Sequence, residues 1–358
     1  MLFRLCLTLI AGALGLVPLA RGQPAAADAA MRISGPVTHE NIAVYFVHGP
    51  SASGPVPATL QEALAKGVVE VVETGNVREL QIENKGDEPV FVQFGDLVKG
   101  GQQDRVLTVS LVLPPKSGRV PIGAYCVEQG RWSARGNEDA KRFSQSEAMM
   151  PSREAKIAIA RQAKPAGPTA GAMFVDRERE AQQRLGPSDG QSEVWRSVAK
   201  VQNELSASLA APVASQASRS SLQLSLENEK LQHAVAAYAA ALEPAGRKAD
   251  DIVGVVVAVN GRISSADVYP SNGLFRKMWP KLVKAGVTEA LAAKPGTSAP
   301  APAVDAVGAF LAEAEKGEQS VRQLGSYAKL ETRDADKAVR TEAKSAAGAL
   351  VHRNYLAK

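Results

Sequence analysis

Runs of β-branched and aliphatic residues, separated by short polar turns, dominate the first third of the chain. The runs that predict strands cover residues 41–49, 68–74, 77–84, 89–98, 105–113 and 119–128. Turns this short favour antiparallel pairing, because a parallel crossover needs about a dozen or more residues. Residues 31–132 are therefore predicted to form a mainly antiparallel β sandwich or barrel-like domain.

One short helix interrupts this β region at residues 59–67, TLQEALAKG. Thr59 can cap the first turn, Glu62 can complete a capping box, and Gly67 can terminate the helix. The sequence therefore predicts a short helix of one or two turns between the first strands.

Helical periodicity replaces strand alternation in the second half of the chain. Residues 133–190 are rich in Pro, Gly and polar residues and are predicted to be loops with at most a brief helix. Apolar positions at helical spacing predict helices at residues 192–209 and 221–244. We expect residues 191–293 to hold these helices with a hairpin unit, packed on the β domain.

The hairpin is predicted at Asn260-Gly261, because both positions of a two-residue hairpin turn need positive φ. Residues 272–293 predict a helix that is strained or broken at Pro280. Residues 294–358 are predicted to hold a linker, one helix and two C-terminal strands. The fold class predicted from the whole pattern is α+β.

The amino-terminal residues have the layout of a secretory signal. Arg4 precedes an apolar run at residues 5–19, and small residues follow. We expect a signal peptide at residues 1–22, with cleavage as late as Ala30, and an exported protein in the periplasm or outside the cell. The alternative is an uncleaved anchor, which would be its only contact with a membrane.

Composition and charge limit the classes of binding partner that the sequence indicates. The chain is 45% hydrophobic and 22% charged, as globular proteins are. Removing residues 1–22 lowers the formal net charge from +5 to +3, too low to indicate nucleic-acid binding. The four histidines stand far apart, without the spacing of a metal site: His39, His48, His233 and His352. We expect no nucleic acid, metal or cofactor, and an unknown small molecule or protein as partner.

Three charged residues fall on strand faces that are otherwise apolar. In a strand, every second side chain lies on the same face. By this alternation Arg105, Asp96 and Glu128 each lie on the apolar face of their own predicted strand. A lone buried charge is costly, so such groups pair or bind a ligand. We expect Arg105 to be neutralised by Glu128, Asp96 or both.

Polar residues and glycines surround these three charges. Gly100 and Gly101 allow backbone angles closed to other residues, or close approach of another group. Arg131 beside Trp132 suits stacking of a guanidinium on an indole. The candidate ligand-binding residues are Asp96, Gly100, Gly101, Gln102, Gln103, Asp104, Arg105, Glu128, Arg131 and Trp132.

Cysteine chemistry is limited, because the chain has two cysteines and Cys6 lies in the predicted signal. Cys126 shares a face with Ile122 and Ala124, which predicts an inert, packed thiol. No histidine lies near it in sequence to act as its base.

Several blocks of the sequence resemble the family of ARG and Rhodanese-Phosphatase-superfamily-associated protein domains. They include NIAVYFVHG, TLQEALAKGVVEVVE, GDLVKGGQQDRVL, CVEQGRW and VGVVVAVNGRISSADVYPSNGLFRKMWPKLV. The resemblance spans residues 42–291 and extends towards residue 352. It implies a loose link to nucleotide or ADP-ribose chemistry and supplies no established catalytic residue.

Three functions compete for the polar residues at 100–105 and 126–132, here called the GGQQDR–CVEQGRW cluster. The first is a non-catalytic ligand-binding or interaction module, favoured because the sequence shows no nucleophile–base pair, metal cluster or phosphate loop. The second is a hydrolase acting on an anionic, nucleotide- or ADP-ribose-related substrate, with Asp96, Asp104 or Glu128 as acid or base. The third is a purely structural polar cluster.

Overall fold

The computed structural model describes residues 31–162, 189–293 and 299–358. These residues belong to one compact unit, Met31–Lys358. The predicted signal peptide lies outside the described residues, as do parts of the predicted loop region and linker. The domain boundaries expected at residues 132, 190 and 293 stay predictions.

Seventeen strands are present among the described residues. They are β1 (Arg32–His39), β2 (Ile42–His48), β3 (Ala58–Thr59), β4 (Val69–Glu73), β5 (Glu79–Asn84), β6 (Val90–Val92), β7 (Leu97–Gly100), β8 (Arg105–Leu107), β9 (Leu111–Leu113), β10 (Gly118–Cys126), β11 (Phe143–Ser144), β12 (Ile252–Val259), β13 (Arg262–Val268), β14 (Glu318–Leu324), β15 (Ala328–Asp334), β16 (Ala338–Ser345) and β17 (Leu350–Ala357).

Seven α-helices lie between these strands in the described part of the chain. They are α1 (Leu60–Ala65), α2 (Arg153–Gln162), α3 (Asp189–Ser208), α4 (Leu222–Leu226), α5 (Glu229–Leu242), α6 (Asn272–Ala292) and α7 (Val304–Ala314). None of the described helices is long and apolar enough to cross a membrane.

A six-stranded antiparallel sheet nearly closes into a barrel, in the order β11-β7-β8-β10-β5-β4. Its two edges meet where Val72 of β4 bridges Arg142, and the Glu73 N–H donates to the Lys141 carbonyl at 2.9 Å. This sheet confirms the predicted barrel-like, mainly antiparallel region. Because the sheet curves, side chains of its first and last strands face one another across its interior.

An eight-stranded antiparallel sheet combines strands from both ends of the described chain. Its order is β1-β2-β12-β13-β17-β16-β15-β14. The run at 41–49, expected beside the other early strands, therefore pairs with β12. Every residue of β2 is buried, as in a central strand, and alternation alone does not specify which strand lies beside it. The C-terminal residues form four strands, β14 to β17, where two were predicted.

Helices cover both faces of this sheet. α6 lies on one face, where Gly286 allows Val257 of the sheet to approach closely, since a Cβ there would stand 3.3 Å from that side chain. α7 covers the other face with Val307 and Leu311. A three-stranded sheet, in the order β3-β6-β9, contributes residues to the same hydrophobic core as α6.

The strongest local signals in the sequence are confirmed. The Thr59 hydroxyl accepts from the Glu62 N–H, and the Glu62 carboxylate accepts from the Thr59 N–H, so the capping box at the start of α1 is complete. Asn260 and Gly261 both have positive φ and join β12 to β13 as a two-residue hairpin turn.

Two predicted helices differ from those in the structure. α6 continues through Pro280 because the helix is buried over much of its length, and packing offsets the lost hydrogen bond. The run at 221–244 divides into α4 and α5, because the Asn228 side chain accepts from the Leu231 N–H and begins a new helix.

Candidate functional site

The two sequence blocks of the GGQQDR–CVEQGRW cluster meet on neighbouring strands. Arg105 of β8 lies directly opposite Cys126 of β10. Gly100 and Gly101 have φ of +111° and +55°, which confirms that they adopt angles other residues rarely reach. A Cβ at Gly101 would lie 2.3 Å from the Phe143 ring, so this position also requires close approach.

Arg105 is fully buried, as alternation predicted, but its predicted partners are wrong. Its guanidinium donates to Glu73 at 3.1 Å and contacts the Cys126 sulfur, and neither Asp96 nor Glu128 is bonded to it. Glu73 is on β4, three strands away in the sheet order. The barrel curvature brings β4 and β8 together across the interior, which strand alternation does not predict.

The cation above the Trp132 ring is Arg105 rather than its neighbour Arg131. The Arg105 guanidinium carbon lies 5.4 Å from the indole centroid, and Trp132 is 45% exposed. The ring therefore covers a buried ion pair on one side and faces solvent on the other.

Asp104 and Glu128 form a second, separate ion-pair network with two arginines. Arg135 lies 3.0 Å from Asp104 and 3.4 Å from Glu128, and Arg131 lies 2.6 Å from Glu128. Burial opposes the charge of Arg135, but bonds to Asp104 and Glu138 raise the pKa of its guanidinium above the ordinary value. Both carboxylates are fully buried, so the network neutralises them inside the protein.

The same carboxylates fix the backbone around them. Asp104 accepts from the Gly100 N–H at 2.9 Å and from the Ser221 hydroxyl at 2.7 Å. Ser221 is the N-cap of α4, where it accepts from the Leu224 N–H. The cluster thus anchors the start of α4 against the barrel.

The remaining predicted residues are divided between this cluster and another place. Gln102 is half-buried beside it, and Gln103 is buried. Asp96 lies elsewhere: its Oδ1 is 2.6 Å from Lys281 Nζ of α6, and its Oδ2 accepts from the Gln93 N–H at 2.9 Å. The structure therefore does not bring Asp96, Arg105 and Glu128 together.

A pocket of about 320 Å³ has Lys281 among its lining residues. Residues 145–149, α4, α5 and α6 enclose it. Its apolar wall includes Leu226, Leu231, Val235 and Ala285. Lys281 and Lys284 supply cationic groups, and several amide and hydroxyl side chains lie among the apolar ones.

Among the described residues, two Ser–His–Asp hydrogen-bond chains are present that the sequence did not predict. In one, the Ser110 Oγ is 3.0 Å from His352 Nδ1, and His352 Nε2 is 3.1 Å from Asp267. Burial favours the neutral acid, but the bond from His352 lowers the pKa of Asp267. Asp267 and His352 lie on β13 and β17, which pair in the eight-stranded sheet, while Ser110 directly precedes β9 of the three-stranded sheet. The three residues are far apart in sequence, so no local signal could reveal their arrangement.

The second chain joins Ser34, His48 and Asp251 at the edge of the eight-stranded sheet. Ser34 Oγ lies 2.7 Å from His48 Nε2, and His48 Nδ1 lies 2.7 Å from Asp251 Oδ1. The bond from His48 lowers the pKa of Asp251 below its ordinary value.

Cys126 is a free and buried thiol, and burial raises its pKa to about 11. Its inertness remains a prediction. Within residues 31–162, 189–293 and 299–358, no group of three His, Cys, Asp or Glu side chains is placed to hold a metal ion.

Comparison with known proteins gives one family assignment. No curated protein and no solved structure matches the chain significantly. The family model described as ARG and Rhodanese-Phosphatase-superfamily-associated Protein domain matches residues 30–356, nearly the whole chain. The match covers every described helix and all three sheets except the last residue of β17, and it confirms the resemblance carried by the GGQQDR and CVEQGRW blocks. The chain belongs to this family, ARPP-1.

Proposed function

We propose that this chain is a small-molecule-binding module whose ligand occupies the pocket bounded by α4, α5 and α6. The observation that carries the proposal is the cavity itself. Its volume of about 320 Å³ lies at the lower end of the range for ligand sites. Its apolar walls with a few polar groups also resemble such sites, where burial gives affinity and polar groups fix orientation.

Lys281 supports the proposal because it is a buried cation held at the pocket lining. Its ammonium donates to Asp96 at 2.6 Å, which fixes its position. An ammonium has three donors, and in the described part of the chain the others have no protein acceptor. A carbonyl, carboxylate or phosphoryl oxygen of a ligand can accept from them.

The GGQQDR–CVEQGRW cluster has a supporting role in this proposal. Asp104 holds Ser221 and hence the start of α4, and Leu226 near the end of that helix lines the pocket. Direct ligand contact at the cluster remains a prediction, and Trp132 is 45% exposed there.

The hydrolase alternative loses support at the residues first considered for it. Asp96, Asp104 and Glu128 are all buried, and each is paired with a lysine or an arginine. A general base must reach a substrate proton with an available lone pair. The proposal therefore places binding, without chemistry, at the pocket.

Export is part of the proposal and rests on the layout of residues 1–22. Fusing residues 1–30 to a reporter that is active only outside the cytoplasm tests it. Reporter activity that disappears when the apolar run is interrupted is expected, and an inactive fusion would contradict export.

The binding test is a thermal-shift screen of nucleotides, ADP-ribose, sugars and short peptides, followed by calorimetry on any hit. Ala285→Phe fills the pocket and should abolish the shift, while the protein stays folded by circular dichroism. Lys277→Met is the matched control, because Lys277 lies about two turns before Ala285 on α6 and pairs with Glu62 at the surface. A ligand that binds the Ala285→Phe variant with wild-type affinity would place the site elsewhere.

A further inference from the structure

Ser34, His48 and Asp251 form a hydrogen-bond chain in which the side chains follow the order of a nucleophile, its base and an acid that orients the base. His48 Nδ1 faces the Asp251 carboxylate at 2.7 Å, so Nδ1 carries the proton and donates it. His48 Nε2 is then the acceptor for the Ser34 hydroxyl, also at 2.7 Å. These are the contacts by which such triads are recognised on unrelated folds.

The surroundings of this chain favour reactivity at Ser34. His48 is buried, which holds its ring in place, while Ser34 is partly exposed and can meet a solute. Arg32 lies 3.1 Å from the second oxygen of Asp251 and fixes that carboxylate from the other side. A β-bulge begins directly after Ser34, and bulges often redirect a side chain next to a site.

The other Ser–His–Asp chain provides an internal comparison. Ser110 is buried, and its oxygen already accepts from the Phe94 N–H at 2.8 Å. The cavity beside it, about 10 Å³, is the size of one water molecule. The hydrogen bonds are similar in kind, but only Ser34 is open to a reagent.

We propose that Ser34 is an activated nucleophile that accepts acyl groups from small carboxylic esters. Its Oγ forms a bond to the carbonyl carbon while its proton moves to His48 Nε2. The bond from that carbon to the ester oxygen breaks, and the leaving alcohol takes the proton from His48. Water then attacks the acyl carbon and gives a proton to His48 Nε2. The bond from that carbon to Ser34 Oγ breaks, Oγ takes the proton from His48, and the acid is released.

The test uses the full mature chain and a fluorophosphonate probe, with the labelled residue located by peptide mass spectrometry. Attack by Ser34 forms a P–O bond and releases fluoride. Label is expected on Ser34 and absent from the Ser110 peptide. Ser34→Ala should remove it, and His48→Gln should slow labelling by about 100-fold, the range of general-base catalysis.

Two further measurements separate a chemical role from a structural one. Asp251 acts as a positioning residue, so Asp251→Asn should slow labelling without changing the melting temperature, and Asp251→Glu should restore it. Hydrolysis of p-nitrophenyl acetate should disappear in Ser34→Ala. An unlabelled Ser34, or labelling that His48→Gln leaves unchanged, overturns the proposal.

Discussion

Replacing Arg105 with methionine should strongly destabilise the protein, because it removes the cation that is paired with Glu73 inside the barrel. The side chain of Arg105 is 0% exposed and that of Glu73 is 3% exposed, with 3.1 Å between the paired atoms. The variant also loses the contact of the guanidinium with the Trp132 ring.

The expected loss in the free energy of unfolding is about 3–5 kcal/mol, the usual effect of removing one partner of a buried ion pair. Replacing both Arg105 and Glu73 with methionine should cost much less, about 1–2 kcal/mol, because no lone charge remains and the volume is nearly kept. The pair should therefore show a coupling energy of more than about 2 kcal/mol.

Urea unfolding followed by circular dichroism measures these free energies in the two single variants and the double variant. Arg119→Met on the neighbouring strand is the matched control. Arg119 is 61% exposed and stands 3.9 Å from Glu83, so its loss should cost no more than about 1 kcal/mol. A loss below about 1 kcal/mol for Arg105→Met, or additive costs in the double variant, would refute the reasoning.

Three other outcomes test separate parts of the structure. Gly101→Ala should lose about 1–3 kcal/mol in urea unfolding through overpacking, beyond the cost at Gly130→Ala, which has positive φ but open space around it. Cys126 should resist Ellman's reagent at pH 8 in the native protein and react in guanidinium, because burial raises its pKa to about 11. Burial acts to raise the pKa of Glu342, but Arg353 and a second arginine lower it to about 2, so its stabilising contribution is present above about pH 4.5 and is lost as pH falls towards 2. Glu342→Gln should remove that part of the acid dependence in pH-dependent urea melts, and an unchanged profile would contradict it.

Features that depend on a few neighbouring residues were predictable from the sequence. The capping box at Thr59 and the hairpin at Asn260-Gly261 each use local backbone geometry that their own side chains decide. Burial of Arg105 was also predictable, because alternation along one strand fixes which face a residue occupies.

Features that depend on how sheets curve and cross were not predictable in the same way. The partner of Arg105 comes from β4 because the barrel nearly closes, and a pattern within one strand carries no information about curvature. Asp96 was placed with Arg105, but it faces α6, whose position is set by packing on the eight-stranded sheet. The pocket walls come from residues 145–149 and from α4, α5 and α6, and no pattern within one of these segments indicates how they pack against one another.

The strand order of the eight-stranded sheet constrains when the fold can be completed during synthesis. β2 pairs with β12, with His48 opposite Ile252. This pairing can form only after about two hundred further residues have been synthesised. β13 in turn needs β17, where Ser265 stands opposite Leu356. The eight-stranded sheet therefore cannot be completed until residue 357 has left the ribosome. Pairing over such long separations slows folding, so β2 and β13 each keep one edge unpaired until their later partners have been synthesised.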